Sequence, residues 1–260
     1  MRLALGVSYN GQSYQGWQSQ PSGNTVQDQL ETALARFANQ PISTLCAGRT
    51  DAGVHALMQV VHFDTDVQRL PVSWVRGPNS HLPRDIAVEW AAHVPNEFHC
   101  RASAVSRRYV YLLLESSVRP SVDTGRVGWS LRPLDGDAMR QAAAMLLGQH
   151  DFTSFRASAC QALSPVKTML AINIHRRGRY WRFEFEANAF LHHMIRNIMG
   201  CLIKIGQGKQ APAWMTHVLA ARDRNAAAPT FSPQGLYFMG PRYDSHWGLP
   251  ESVPAYDGLP

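Results

Sequence analysis

Ala47-Gly48-Arg49-Thr50-Asp51-Ala52-Gly53-Val54-His55-Ala56 is followed, one residue later, by Met58-Gln59-Val60-Val61-His62-Phe63. The second stretch is apolar and β-branched, the composition of a strand entering a core. The first places one carboxylate, Asp51, two residues after the Arg49 guanidinium and brackets it with Gly48 and Gly53. An acid beside an arginine is favoured in its charged form. Glycines on a short turn let another backbone approach closely. The pattern suits a nucleophile or anion acting on a bulky, negatively charged substrate. It is equally the pattern of a surface β-turn in which Asp51 bonds the backbone of Ala52-Gly53.

Outward from this stretch the elements alternate. Leu3 to Tyr9 reads as a strand ending at the Asn10-Gly11 turn signal. Thr25 can cap a helix through Phe37, with Val26, Leu30, Ala33, Leu34 and Phe37 on one face. Strands are expected over Leu45–Ala47, Met58–Phe63 and Ile86–Val94, with a short helix or irregular connection between Pro71 and Pro83. A second series opens with the strand-like Arg108–Leu114. It continues with a helix over Leu134–Leu147, closed by Gly148 as C-cap, and a hairpin of Met169–Ile174 with Tyr180–Ala187. In Trp181-Arg182-Phe183-Glu184-Phe185-Glu186 aromatic and charged residues alternate, so one face packs and the other meets solvent. Leu191–Ile205 returns to helical spacing, Pro212 begins a short helix, and Leu236-Tyr237-Phe238 gives a last strand. Strands and helices in this order define an α+β protein with mostly antiparallel sheets. Residues 1–102 form one expected half and 103–242 the other. The Pro- and Gly-containing tail, 243–260, is expected to be extended or poorly ordered.

The 260 residues allow one large core or two medium ones, and 45% apolar with 17% charged residues is ordinary for a folded chain. No run approaches the ~18 apolar residues of a membrane span. The start, Met1-Arg2-Leu3-Ala4-Leu5, lacks a signal peptide's cleavage region, so a cytosolic location and no membrane are expected. The net charge of +6 supports a polyanionic partner, and all but Lys167, Lys204 and Lys209 of the 25 basic residues are arginine. Arginine's planar fork suits phosphate and base contacts, although a GC-rich genome would give the same bias. Cys46, Cys100, Cys160 and Cys201 are far apart and form no C-x-x-C pair, so thiols are expected rather than a zinc ribbon or redox motif. Cys46, next to Leu45, reads as a small buried hydrophobe. Adjacent His192 and His193 would diverge by about 100° on a helix, which argues against a shared metal ion. The sequence holds no Walker loop or dinucleotide fingerprint.

The decisive stretch resembles the active-site signature of the TruA family of tRNA pseudouridine synthases, in which the aspartate is the nucleophile. The resemblance recurs along the chain, from about Leu3 to Tyr237. It is carried by Tyr14-Gln15-Gly16-Trp17-Gln18, Phe98-His99-Cys100-Arg101-Ala102, Arg107-Arg108-Tyr109-Val110-Tyr111, Asp151–Phe155, Asn188–Asn197 and Gly235-Leu236-Tyr237. It implies the pseudouridine synthase fold, with two α+β halves of RNA-recognition (ferredoxin-like) type whose sheets meet at a central basic cleft. The implied activity is isomerisation of uridine at positions 38, 39 and 40 of the tRNA anticodon stem-loop, by a homodimer, without metal or cofactor. Asp51 would be the catalytic nucleophile, attacking the sugar C1′ or the base C6, or the base that removes a sugar proton.

The resemblance also assigns roles to single residues. Tyr109 would contact the target base, although a tyrosine in an RYVY alternation is also an ordinary core residue. Arg196 would pair with the aspartate, where a solvated helix-face charge is the alternative. Leu236 would lie over the uracil, and core packing serves it equally well. Arg49 would fill the gap left by the everted base. Backbone contacts would come from Arg69, from Phe98, His99, Cys100, Arg101 and Ala102, and from Ala159, Cys160, Gln161, Ala162 and Leu163. Ser116-Ser117-Val118-Arg119 lacks a basic position of the family pattern. A non-catalytic RNA-binding protein and a hydrolase releasing free base remain as other readings. The Asp51, Tyr109 and Arg196 set speaks against the first, and the missing second carboxylate against the second.

Overall fold

A computed structural model describes residues 1–250. In chain order the elements are β1 (Arg2–Tyr9), α1 (Val26–Ala38), β2 (Leu45–Cys46), β3 (His55–Asp64), α2 (Pro71–Asn79), β4 (Ile86–Val94), β5 (Ala104–Glu115) and β6 (Gly128–Ser130). Then come α3 (Gly136–Ala144), β7 (Gly148–Asp151), β8 (Val166–Arg177), β9 (Tyr180–Ala187), α4 (Met194–Gly206), α5 (Trp214–Ala221) and β10 (Leu236–Tyr243). Every long element expected from the sequence is present, and the class is α+β with mostly antiparallel pairing. Among the described residues no helix is long and apolar enough to cross a membrane.

The described residues divide into two compact units: residues 1–107 together with 237–250, and residues 108–236. In the first, β1 lies between β3 and β4, antiparallel to both, with Leu5 opposite Val61 and Ala91. β2 joins β3 antiparallel, and β10 joins it parallel through Tyr237 and Phe238. β1 is buried on both faces, which is why its apolar residues run nearly unbroken instead of alternating. Thr25 caps α1, its side chain accepting from the Asp28 amide at 3.2 Å. Phe37 from α1 and Phe63 from β3 pack on the buried Trp74 of α2. A second cluster gathers Ala4, Ala47, Met58, Val60, Val94, Phe98 and Cys100.

Two sequence expectations are corrected here. The last strand, from Tyr237 on, belongs to the first unit and not the second, and there Tyr237 and Phe238 pair with His55 and Ala56 of β3. Nor is the start of the tail extended: Tyr243 ends β10, Ser245–Trp247 form a 3-10 turn, and Tyr243, Trp247 and Leu249 pack on the second cluster. Their aromatic surface is too large to leave in water. The expected tail over residues 251–260 lies outside the described residues.

In the second unit the strands follow the order β5-β9-β8-β7, with β6 parallel to β5. β8 and β9 form the expected hairpin, Arg177 opposite Tyr180 and Ile174 opposite Phe183. Along β9 the buried residues are Trp181, Phe183, Phe185 and Ala187, as the alternation requires. α3 starts later than expected, because the Asp135 side chain caps it by accepting from the amides of Asp137 and Ala138. Gly148 does not cap that helix: it takes φ +92 as the first residue of β7. α4 is almost wholly buried.

Candidate active site

The stretch 47–55 is a turn gripped by buried groups. Ala47 donates its amide to the Val60 carbonyl at 2.8 Å, pinning the turn to β3. The fully buried Gln59 side chain accepts from the Gly48 amide and donates to the Gly48 carbonyl, so one amide satisfies both backbone groups. The Thr50 carbonyl accepts from the Trp17 amide at 3.0 Å, and the Thr50 hydroxyl lies 2.7 Å from the Tyr9 hydroxyl. Val54 donates to the Asp51 carbonyl at 3.1 Å, closing a tight turn in which Gly53 has φ +79. Gly11 donates to Nδ1 of the buried His55 at 3.2 Å, and His55 stacks on Tyr237 with ring centroids 4.6 Å apart. Asp51 itself is half-buried and Arg49 exposed. The strand, the two glycines and the acid were legible in the sequence. Tyr9, Thr50 and Gln59 were not singled out, and of these only Gln59 carries a local signal, a polar residue inside an apolar run.

Two glycines make the close approach possible. A Cβ on Gly11 would sit 1.9 Å from the Val54 carbonyl oxygen. Gly16 has φ +93, and a Cβ there would lie 2.7 Å from the Thr50 carbonyl oxygen. Only glycine lets these backbones meet.

Segment 98–102 lies in the same unit, and its side chains split between core and solvent. Phe98 and Cys100 are buried, so of these two residues only the backbone can reach a ligand. His99 is half-buried, and Arg101 and Ala102 are exposed. The Tyr243 hydroxyl donates to the Cys100 carbonyl at 2.6 Å, and Phe98 meets the rings of Tyr243 and Trp247. His62, His99 and Cys100 bring donor atoms within 4.8 Å of one another. Nδ1 of His99 already accepts from the amides of Arg101 and Ala102, and Nδ1 of His62 from the amide of Cys100. These imidazoles therefore hold the 98–102 turn. Burial pushes the Cys100 thiol up to about 12 and raises Cys46 as well, which fits the expectation of Cys46 as a small hydrophobe. Exposed Arg69 lays its guanidinium 4.5 Å over the Phe37 ring.

The remaining expected residues lie in the second unit. Tyr109, on β5, is 9% exposed and meets Phe190 edge to face at 5.1 Å. Arg196 lies half-buried in the first turn of α4, where Nε donates to the Phe231 carbonyl at 2.9 Å and the Arg196 carbonyl accepts from the Phe231 amide. Asn197 beside it is buried, donates to the Phe155 carbonyl and accepts from Thr230 and Arg224. Leu236 is buried, following Gly235 at φ +91.

His192 and His193 precede α4 and are not part of it, since His193 has φ 62 and serves as the N-cap residue. Their rings do not diverge as a helical pair would; the centroids are 4.0 Å apart. Residues 157–163 form a loop whose Cys160 and Ala162 carbonyls both accept from Arg156 Nη2, at 2.7 and 2.9 Å. Burial alone would raise the Cys160 thiol, but amide donors from Ala162 and His192 and the Arg156 guanidinium bring it below the usual range. Ala159, Gln161 and Leu163 are exposed, whereas Cys160 and Ala162 are half-buried.

Comparison with known proteins places the chain. A family model described as tRNA pseudouridine synthase matches residues 6–101 and 142–244. The chain is 72% identical over 260 residues to the tRNA pseudouridine synthase A of Albidiferax ferrireducens, each covered in full. It is 69% identical over 264 residues to that of Polaromonas naphthalenivorans and 67% over 270 to that of Variovorax paradoxus, again with full coverage of both chains. Among solved structures, a chain from a Cbf5-Nop10-Gar1 complex aligns over 91% of this chain and 48% of its own, at a TM-score of 0.37 and 13% identity. That likeness is too distant to inform the site. The chain belongs to the tRNA pseudouridine synthase family. It is an isomerase that converts uridine to pseudouridine in tRNA.

Proposed function

We propose that the uridines modified are those at positions 38, 39 and 40 of the anticodon stem-loop, and that Asp51 carries the reaction. The observation behind this reading is a half-buried carboxylate on a turn whose backbone is fixed on both sides by hydrogen bonds. Isomerisation breaks the N1–C1′ bond, turns the retained uracil, joins C5 to C1′ and moves one proton from C5 to N1. Atoms and electrons balance without an oxidant or an imported group. Asp51 supplies the electron pair that lets N1 depart. Arg196 pairs with that carboxylate and keeps it charged. Tyr109 stacks on the uracil and handles the C5 proton, with Leu236 on the other face.

The target base must leave its stack to be reached, at a cost of a few kcal/mol, and Arg49 fills the space it vacates. The tRNA binds basic surface of a homodimeric enzyme. Arg69 and the segments 98–102 and 159–163 contact its backbone, the last by main chain and shape. Support comes from the net charge of +6 and from the exposure of Arg49, Arg69 and Arg101. Phosphate contacts of this kind make binding salt-dependent.

The test is to incubate the purified enzyme with unmodified tRNA and map the product. Pseudouridine confined to positions 38–40, with no uracil released, is the expected result. Modification elsewhere would overturn the site assignment, and free uracil would identify a hydrolase.

A further inference from the structure

The Tyr9 and Thr50 hydroxyls lie 2.7 Å apart, and Thr50 carries the peptide unit that leads into Asp51. We propose that Tyr9 and Thr50 are positioning residues that aim the Asp51 carboxylate. The proposal rests on the reading of Asp51 as the reacting acid.

A peptide unit is planar, so the Thr50 carbonyl and the Asp51 amide turn together. The Trp17 amide holds that carbonyl at 3.0 Å and so fixes the plane entering Asp51. The plane leaving Asp51 is fixed by the Val54 amide on the Asp51 carbonyl at 3.1 Å. With both planes set, the direction of the Cα–Cβ bond of Asp51 is set too, and only its side-chain torsions remain.

Thr50 is where this arrangement is anchored in the interior. Its side chain is buried and β-branched, hence stiff at χ1. Its hydroxyl lies 2.7 Å from that of Tyr9, across 41 residues of sequence. Tyr9 is in turn immobilised: it is 4% exposed at the end of β1, paired with Ala56, and its ring is 5.7 Å from the buried Trp17 ring. The same Trp17 supplies the amide that holds the Thr50 carbonyl. Side chain and main chain of Thr50 are therefore tied to one rigid body. The turn also meets the buried Gly16, whose missing Cβ admits the Thr50 carbonyl. A threonine present only to fill space would need neither the second hydroxyl nor the glycine.

A displacement of about 1 Å at a reacting group can cost about a hundredfold in rate. Tyr9→Phe and Thr50→Val each remove one hydroxyl and keep the shape. Steady-state kinetics on tRNA should show kcat lowered about 10- to 100-fold by either change, with KM within about twofold, the pattern of an interaction realised in the transition state. The double variant should be no worse than the poorer single one, because both break the same link. Thr50→Ser, which restores the hydroxyl, should recover most of the lost kcat.

A fall in kcat below about threefold in either single variant, or a rise in KM alone, would overturn the proposal. So would a Thr50→Ser variant as slow as Thr50→Val, or loss of folded protein in both single variants, which would make the pair a stability element. Asp51→Asn is run in parallel. If it turns over normally, the reading of Asp51 fails. If it is inactive while Tyr9→Phe and Thr50→Val keep kcat, only the positioning role fails.

Discussion

The turn at 48–55 and the loop at 156–163 both belong to segments expected to meet tRNA, and they are held in opposite ways. The turn is gripped from inside: Gln59, Tyr9, Thr50 and His55 are all buried, and Gly11 and Gly16 admit backbone where a side chain could not fit. The loop is held nearer the surface: half-buried Arg156 reaches two of its carbonyls, Ala157 donates to the His192 carbonyl and the His192 amide to the Cys160 sulfur, and its Leu163 is fully exposed. Hydrogen bonds among buried groups are costly to break, because a partner left alone has no water to turn to. Bonds to carbonyls near solvent are exchanged for water at little cost. The first device suits a group that must be held to a fraction of an ångström, the second a surface that adjusts to an RNA backbone.

The contrast can be broken most forcefully at Gly11. Gly11→Ala would drive a Cβ to 1.9 Å from the Val54 oxygen, with backbone on both sides of the clash. A loss of about 2–4 kcal/mol in urea unfolding is expected, in the range of overpacked interiors and backbone strain. A change within about 0.5 kcal/mol, the range of ordinary surface substitutions, would show that the turn yields as easily as the loop.

The pH response sharpens the same contrast. Burial holds the His62 imidazole at about 4, against an ordinary 6.5, helped by the Arg2 cation and by His99 and opposed by Asp64. Between those values the unfolded chain takes up a proton that the folded chain refuses. Stability should be full above pH 6.5 and fall as the pH drops toward 4, by roughly 1–3 kcal/mol. His62→Gln should flatten that part of the profile, and an unchanged slope would remove His62 as its source.

The smallest effect is expected in the loop. Arg156→Ala frees the Cys160 and Ala162 carbonyls to bond water, so global stability should fall by about 1 kcal/mol or less. Amide exchange should quicken over 157–163 and stay unchanged at 48–55. Faster exchange at the turn as well would mean that the two regions are not independently held.

Much of this was legible in the sequence where structure follows from near neighbours. The β9 alternation and the Thr25 cap each depend on contacts within a few residues, and each was read correctly. What escaped depends on distant partners or on brevity. β6 has only three residues, Gly128–Ser130, too few for a period to show. β10 returns to the first unit through a pairing with His55 and Ala56 that no local pattern encodes. The His192–His193 reading failed because a helical period was extended one turn past the point where His193 adopts φ 62. Tyr9 and Thr50 each look unremarkable; only the fold places their hydroxyls together.

The role of Asp51 is open to a direct measurement: single-turnover pseudouridine formation by Asp51→Asn with enzyme in excess, beside tRNA binding by the same protein. Asparagine keeps the size and the turn but cannot carry the charge. Pseudouridine formation slowed by at least about 10⁴-fold, with affinity within about threefold, is the expected result. Product appearing at a rate near that of the unaltered enzyme would show that the reaction proceeds without this carboxylate.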